Sequence, residues 1–349
     1  MKPYNIIKII SLLSHTFNQL DAVPLTKTIS KLYFITFSNE DMLQHTQWAL
    51  KNMKISAVIP VFNGENFIAD AINSVLTQSS MVDEIIVVND LSTDNTLEVL
   101  SQFGDKVRVI TNKDNRGASF SRNQGIKAAS YDFIAFLDAD DIWYPNKISR
   151  QIAIMKAKIN CKFSYGQSTL VSFEEYSSDL LSKIDNSISK TSEKSLIEVF
   201  ENPYFSTSTI VASKQLCISA GLFREDLKTA EDIDLCLKLA TLTQVVKMDT
   251  PLSITRRVEG SLGASASSYQ DNLTVIESFV RTNPEFNKEN PELVKKAKRK
   301  IYDDWLKDLI VSRQINKAIN LCVKSFHIKP SKLTLKLLFK ALLLKLKYR

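Results

Sequence analysis

At 349 residues, with 44% hydrophobic and 24% charged positions, the chain can hold one large α/β domain plus an appendage, and its composition is globular rather than disordered or fibrous. The formal net charge of +7 is unevenly placed: Arg281 to Arg349 holds 18 Lys/Arg against 6 Asp/Glu, which leaves the remainder near −5. Four cysteines with no short-spaced pair argue against a zinc site or disulfide framework and suit the cytoplasm, and no run reaches the ~18 apolar residues of a membrane span.

Residues 1–52 are hard to place. Ile6–Leu13 is apolar beside Lys2 and Lys8, a faint echo of a signal peptide, but no small-residue cleavage site follows. Leu32–Phe37 reads as a strand without an evident partner. Met53 is followed at once by a strand and looks like a natural beginning, so residues 1–52 are read as an extension upstream of the true start. The three histidines, His15, His45 and His327, fall outside the α/β body, which argues against a His-centred catalytic group.

From Lys54 the punctuation becomes regular. Ile55–Val61 is a β-branched run ending in Pro60-Val61-Phe62-Asn63-Gly64, and Phe67, Ile68, Ala71, Ile72, Val75 and Leu76 then recur at helical spacing. Glu84–Asn89 is a second strand, closed by Asp90-Leu91-Ser92-Thr93-Asp94, with Ser92 or Asp94 placed to cap the helix carrying Leu97, Val99 and Leu100. Val107–Ile110 is a third strand, Ala118–Ala129 a helix, and Tyr131–Leu137 a fourth strand running into Asp138-Ala139-Asp140-Asp141. Near-continuous apolar strands alternating with helices predict a mostly parallel central sheet covered on both faces. Ligands of such sheets sit outside the carboxyl ends of the strands, so the polar loops at 62–65, 89–94, 112–117 and 138–141 are expected on one edge.

Side chains alternate along a strand, so Asp138 and Asp140 are expected to share a face with Ala139 leaving the space between them open. Convergent carboxylates need a positive partner, and a divalent cation that also holds phosphate oxygens meets that need. A solvated acidic turn capping the next helix at Asp141 accounts for the same residues. Further on come a helix at Pro145–Lys158, a strand near Phe163–Val171, a Ser-rich loop over Ser172–Glu193 and a strand at Ser208–Ala212. The acidic helix start Glu231-Asp232-Ile233-Asp234 follows, then strands at Val245–Met248 and Leu252–Arg257 and a helical remainder from Tyr269.

Taken together, Val58-Ile59-Pro60-Val61-Phe62-Asn63, Val87-Val88-Asn89-Asp90-Leu91-Ser92-Thr93-Asp94, Asn115-Arg116-Gly117 with Ser121-Arg122-Asn123, Phe136–Asp141 and Glu231-Asp232-Ile233-Asp234-Leu235 resemble, in order, the family 2 glycosyltransferases with their nucleotide-sugar-binding GT-A fold. The similarity runs from about Lys54 to Ser265, which sets a domain at 54–265 and a basic helical region at 266–349. The resemblance implies inverting sugar transfer in bacterial surface-polysaccharide or glycolipid synthesis. It further implies backbone contacts to the nucleoside from Pro60 and Val61, stacking on Phe62, Glu65 facing the same pocket, and Asp90 accepting from the base's ring N–H, which favours a UDP-sugar. Asp140 is the expected ligand of Mg²⁺ or Mn²⁺, with Asp138 on the ribose, a metal-bound water or the metal. Arg122 approaches a phosphate or secures the aspartates, Asp232 is the general base, and Glu231 orients the acceptor.

The chain departs from the family pattern in places. Leu91 stands where a glycine is usual, Asn89 replaces an aspartate, Ile233 stands where an aromatic is frequent, and no histidine occurs over Arg256–Ser265, where Arg257 is the expected electrostatic substitute. In the tail, Lys332–Arg349 mixes Leu and Phe with six cations, which suits a helix lying on a membrane from the cytoplasmic side through residues 331–349. An ordinary helix packed on the body or on a second subunit explains it as well. No nucleic-acid reading motif accompanies the basic residues. A nucleotidyltransferase usually carries a cation in its first loop, which Pro60–Glu65 lacks, and a non-catalytic membrane-bound scaffold is the remaining alternative. No Gly-x-Gly-x-x-Gly follows the first strand, which disfavours a dehydrogenase.

Overall fold

The computed structural model describes residues 53–158, 161–172, 191–257, 267–326 and 332–347. The extension before Met53, most of the Ser-rich loop and the small-residue stretch after Arg257 lie outside them, and all described residues belong to a unit running from Asn52 to Arg349.

The described residues form one nine-stranded sheet flanked by helices. Its parallel half comprises β1 (Ile55–Val61), β2 (Glu84–Asn89), β3 (Arg108–Thr111) and β4 (Phe133–Phe136), in the spatial order β3-β2-β1-β4. Every residue of β1 is buried, as expected for a strand with a helix on each face. Past β4 the sheet turns mixed. It continues through β8 (Val211–Ser213), β6 (Cys161–Ser172) and β9 (Gln244–Arg257) to the two-residue β5 (Ile142–Trp143), and β7 (Thr191–Lys194) pairs with β9. Here β6 and β9 are parallel, while β4/β8, β6/β8, β5/β9 and β7/β9 are antiparallel. The two strands expected at 245–248 and 252–257 are one, and the strand expected at 208–212 is a 3₁₀ turn over Thr207–Thr209 leading into β8.

Register decides where the loops go. Val61 pairs with Asn89 and Asn89 with Thr111, while Phe136 pairs with Val58, so Asp138 emerges level with the end of β1. The four polar loops therefore do meet on one edge.

The helix after β3, α3 (Gly117–Ala128), lies unusually close to β1 because Gly125 has no side chain. A Cβ added there would sit 2.3 Å from Cγ1 of Val58. The apolar core joins β1, β2 and β4 to the helix Glu231–Leu242 (α7) and to Val275, Ile276, Phe279, Phe286 and Val294 from residues beyond 266. A second cluster, built from Leu306, Leu309, Ile310, Ala318, Leu321, Cys322 and Ala341, holds the last three helices together.

Val58 is β-branched and central in a fully buried strand, so it has little freedom to turn aside. Gly125→Ala is therefore expected to destabilise by about 1–2 kcal/mol, overpacking outweighing the gain in helix propensity. Urea unfolding would show this as a lowered midpoint with an unchanged slope; an unchanged midpoint would mean that the contact yields freely.

Candidate functional site

The first loop is tied to the second by hydrogen bonds in both directions. Asn63 N–H donates to Ser92 Oγ (2.9 Å) and Thr93 N–H donates back to Asn63 Oδ1 (2.8 Å), while Gly64 N–H donates to Thr96 Oγ1 (2.9 Å). Glu65 and Asp94 hold each other's neighbourhood: Glu65 N–H donates to Asp94 Oδ2 (3.0 Å), and Asn95 N–H to Glu65 Oε2 (2.8 Å). Asp94 thus accepts from Thr96 N–H (3.0 Å) as well, but neither it nor Ser92 is the residue at the helix N-cap, which is Asn95. A Cβ on Gly64 would lie 3.8 Å from that of Ala139, so this knitted loop borders the aspartate turn.

Phe62 is 50% exposed at the end of β1, a free ring face rather than a core aromatic. Pro60 and Val61 are buried, and the Val61 carbonyl accepts from Asp90 N–H (2.8 Å). Asp90 is itself buried, and its carboxylate accepts from Asn112 Nδ2 (2.7 Å), Arg116 N–H (3.0 Å) and Gly117 N–H (2.6 Å). It anchors the 112–117 loop and the first turn of α3, an electrostatically favourable place for an anion. Leu91 adopts φ 61°, so the turn keeps the left-handed geometry that the usual glycine would provide without strain.

The aspartates do not share a strand face. β4 ends at Phe136, and Asp141 N–H donates to the Asp138 carbonyl (3.0 Å), closing a turn. Ser208 braces this turn from behind: its Oγ accepts from Asp138 N–H (3.0 Å) and donates to Asp141 Oδ2 (2.6 Å). Asp141 is buried on Ser208 and does not cap the following helix, whose N-cap is Asn146; burial and the charges of Asp138 and Asp140 push its carboxyl well above the usual range. Arg256, at the end of β9, donates from Nε to the Asp140 carbonyl (2.5 Å) and pairs with Asp70 (2.9 Å). Arg256 is buried and Arg257 exposed, so the arginine that meets the aspartate turn is the former.

Arg122 joins the two halves of the site. Its guanidinium, almost wholly buried, donates to Asp138 Oδ1 (2.6 Å) and to Glu231 Oε1 (2.8 Å). Burial works against its charge, but Asp138 and Glu231 outweigh this and hold it above the ordinary arginine range. Both guanidinium ends are thereby engaged by protein, which favours securing the aspartates over reaching a phosphate.

Asp232 begins α7 beside Glu231, and burial first, then the Glu231 charge, pushes its carboxyl up to about 7. The segment leading into it is held from outside: Asp271 Oδ2 accepts from Lys228 N–H (3.1 Å), Thr229 N–H (2.9 Å) and the Thr229 hydroxyl (3.0 Å). Ser208, Arg256 and Asp271 were not legible as site residues in the sequence. A Ser/Thr-rich run at 206–209 and a lone acid in an amphipathic helix carry no signal of their own.

Asp140 is half-buried, without an ion-pair partner among the described residues, and burial followed by the Asp138 charge raises its pKa. Such a carboxylate, with an oxygen of Asp138 left beyond Arg122, suits a hard cation. No group of three or more His, Cys, Asp or Glu among the described residues encloses a metal site, so substrate phosphates would have to supply further ligands.

With this geometry in hand, likeness to known proteins is specific. Residues 56–216 match the model of the family described as glycosyl transferase family 2. An uncharacterised glycosyltransferase of Rickettsia felis is 33% identical over 220 residues, 61% of this chain and 36% of that protein. The Escherichia coli UDP-Glc:alpha-D-GlcNAc-diphosphoundecaprenol beta-1,3-glucosyltransferase WfgD is 41% identical over 118 residues, 34% of this chain and 46% of its own. The putative teichuronic acid biosynthesis glycosyltransferase TuaG of Bacillus subtilis is 35% identical over 114 residues, 32% and 45% of the two chains. The chain thus spans between a third and a half of the length of these three relatives. Among solved structures, S. aureus TarS 1-349 in complex with UDP-GlcNAc superposes with a TM-score of 0.59 at 18% identity, covering 80% of this chain and 83% of that one. GalNAc-T7 with UDP, GalNAc and Mn2+ gives 0.50 at 15% identity, covering 67% and 51%.

Residues 56–216 carry the sequence pattern of the family 2 glycosyltransferases, and the fold of the chain is of the GT-A type.

Removing the Arg122 charge would leave two partly buried carboxylates facing each other. Arg122→Met is expected to cost about 3 kcal/mol in chemical denaturation at pH 7. Arg122→Lys, with one ammonium in place of the fork, should restore part of that loss but not all; full stability in the methionine variant would show that the bridge contributes nothing.

Proposed function

We propose that the protein transfers a sugar from a UDP-sugar to an acceptor hydroxyl with inversion at the anomeric carbon. The observation that carries this reading is the convergence of an exposed aromatic at the end of β1, an aspartate turn at the end of β4 and a carboxyl poised near neutrality at the start of α7, with one arginine joining the last two. Phe62 offers its free face to the uracil ring, with Pro60, Val61 and Glu65 bordering the pocket. Asp90 fixes the loop that closes it, and any contact to the base N–H uses lone pairs beyond those already engaged by protein donors.

Asp140, with Asp138, would hold Mg²⁺ or Mn²⁺, which when bound neutralises negative charge on the departing diphosphate. GalNAc-T7, whose solved structure contains Mn2+ with UDP, supports a divalent ion in this fold. Asp232 accepts the proton of the acceptor hydroxyl as its oxygen bonds to the anomeric carbon and the bond from that carbon to the diphosphate breaks. Glu231, held by Arg122, orients the acceptor. WfgD, a glucosyltransferase acting on a GlcNAc-diphosphoundecaprenol, and TuaG, putatively of teichuronic acid biosynthesis, support a glycan acceptor in cell-surface polysaccharide or glycolipid synthesis, lipid-linked in the case of WfgD. Such an acceptor places the enzyme at the inner face of a bacterial membrane. A second copy is not required by this chemistry.

Only the ionised form of Asp232 can take a proton. Turnover should therefore rise with pH through about 7 and be lost below it. Asp232→Asn is expected to lower turnover by roughly 10²–10⁴-fold and to abolish that profile while UDP affinity stays within about threefold. The stability linkage runs the other way. A carboxyl raised from 3.8 to about 7 binds its proton more tightly in the folded chain, so stability falls as pH rises between those values, and the asparagine variant should lose that slope. Wild-type turnover in Asp232→Asn would remove Asp232 as the base.

Donor and metal are tested by thermal shift with a panel of nucleotide sugars, with and without Mn²⁺. A UDP-sugar with Mn²⁺ should raise the melting temperature more than either alone, and Asp140→Ala should lose the metal-dependent increment. An identical shift in EDTA would eliminate the metal, and a larger shift with a purine diphosphate sugar would eliminate uridine.

A further inference from the structure

The last helix, α12 (Lys332–Lys347), is packed on one side and open on the other. Thr334 and Ala341 are buried and Leu337 and Leu338 half-buried against Leu306, Leu309, Ile310 and their neighbours, and the Thr334 hydroxyl donates to Asp303 Oδ1 (3.0 Å). The helix therefore packs on the body. It does so with one face only. Leu335, Phe339, Leu342 and Leu343 are 52%, 64%, 43% and 51% exposed. At 3.6 residues per turn their spacing gathers them in an arc of roughly 100° that the packed face does not share. Lys336 and Lys340, both exposed, line the edge of that arc away from the packed face.

We infer that this face is a docking surface for an anionic lipid bilayer, with α12 lying in the membrane plane. A fixed apolar stripe edged by lysines matches an interface in which hydrocarbon lies below and anionic headgroups beside it. Charge decides between the candidate occupants. The segment from Arg281 onward carries 18 Lys/Arg against 6 Asp/Glu, so a second copy of the chain would bring like charge against like, whereas anionic lipid brings the opposite sign. A nucleic acid would satisfy the lysines but leave four apolar side chains in water. Because the stripe is held by a bundle rather than formed on contact, no ordering of the helix is needed on binding. No helix among the described residues is long and apolar enough to cross a membrane, which is consistent with a surface placement for this one. The inference stands on α12 alone and does not depend on the transfer chemistry.

The test is sedimentation of the full chain with phosphatidylcholine vesicles, with and without phosphatidylglycerol. Phosphatidylglycerol should increase the bound fraction by at least about tenfold, and high salt should reverse most of that gain. Phe339→Glu/Leu342→Glu should lower binding to the anionic vesicles by about tenfold or more, and Lys336→Gln/Lys340→Gln should lower the preference for them. Both pairs are exposed, so thermal midpoint and UDP binding should stay at wild-type values and separate loss of docking from loss of fold. Wild-type vesicle binding by the Phe339/Leu342 variant would overturn the inference. So would a dimer in the absence of lipid that the same substitutions disperse, since that would make the occupant a second copy.

Discussion

A single guanidinium holds the two sides of the candidate site at a fixed distance. Arg122 comes from a helix that Gly125 allows to lie against β1, and it reaches Asp138 on the turn after β4 and Glu231 at the start of α7. Taking an arginine out of water is costly unless its charge is met, and here two carboxylates take its two terminal nitrogens while Nε stays buried without a hydrogen-bond partner. The consequence for chemistry is a division among neighbouring acids. Asp138 and Glu231 are both paired with Arg122, while Asp140 and Asp232, their near neighbours in sequence, are not paired in this way and carry raised pKa values. One arginine thus separates the acids that build the site from those left free to act in it.

The turn that carries Asp138 and Asp140 is also held by protein contacts alone. Ser208 holds its entry and exit, and Arg256 holds its middle through the Asp140 carbonyl. A bond to the carbonyl leaves the Asp140 carboxylate free, so rigidity is obtained without consuming the reactive group. The same economy appears at α7, where Asp271 binds the backbone of residues 228–229 and touches neither Glu231 nor Asp232. Asp271 lies beyond residue 266, in a helix whose Val275, Ile276 and Phe279 enter the main core. The basic helical region is therefore joined to the edge that carries the candidate site by both packing and hydrogen bonds. Groups positioned in this way need little reorganisation when substrate binds.

What could be read in the sequence follows from the range of the interactions concerned. Strands buried on both faces write themselves as apolar runs, and the polar residues that end them mark the loops, so β1 to β4 and their shared edge were legible. At 138–141 the sequence leaves a continuing strand face and an acidic turn both open, because period-two alternation cannot report where a strand stops; the Asp141 to Asp138 bond that makes it a turn is local, but the Ser208 contacts that stabilise it come from about 70 residues away. Arg256 and Asp271 act through side-chain bonds to backbone groups 116 and 42 or more residues distant, and such pairs leave no periodic trace. Leu91 is the opposite case. Its strain was predictable from the missing glycine, and the turn retains it because Asn63, Asn89 and Ser92 overdetermine the loop through their hydrogen bonds.

Asp232 shows how competing electrostatic effects resolve. It stands in the first turn of α7, where the helix dipole favours a negative charge, and its own Oδ1 accepts from Ile233 N–H at 2.7 Å. Arg122 lies near enough to favour ionisation as well. Each of these alone would keep Asp232 an ordinary, weakly basic carboxylate. Burial and the adjacent Glu231 oppose them and win, leaving a carboxyl balanced near 7. Part of the Glu231 effect would be larger still if Arg122 did not draw that charge toward itself. Moving Arg122 away would thus alter Asp232 twice, by withdrawing a favourable positive charge and by releasing an unfavourable negative one, and both changes push it further from ionisation. The bridge that fixes the geometry of the site is in this way also what keeps the Asp232 carboxyl able to ionise near neutral pH.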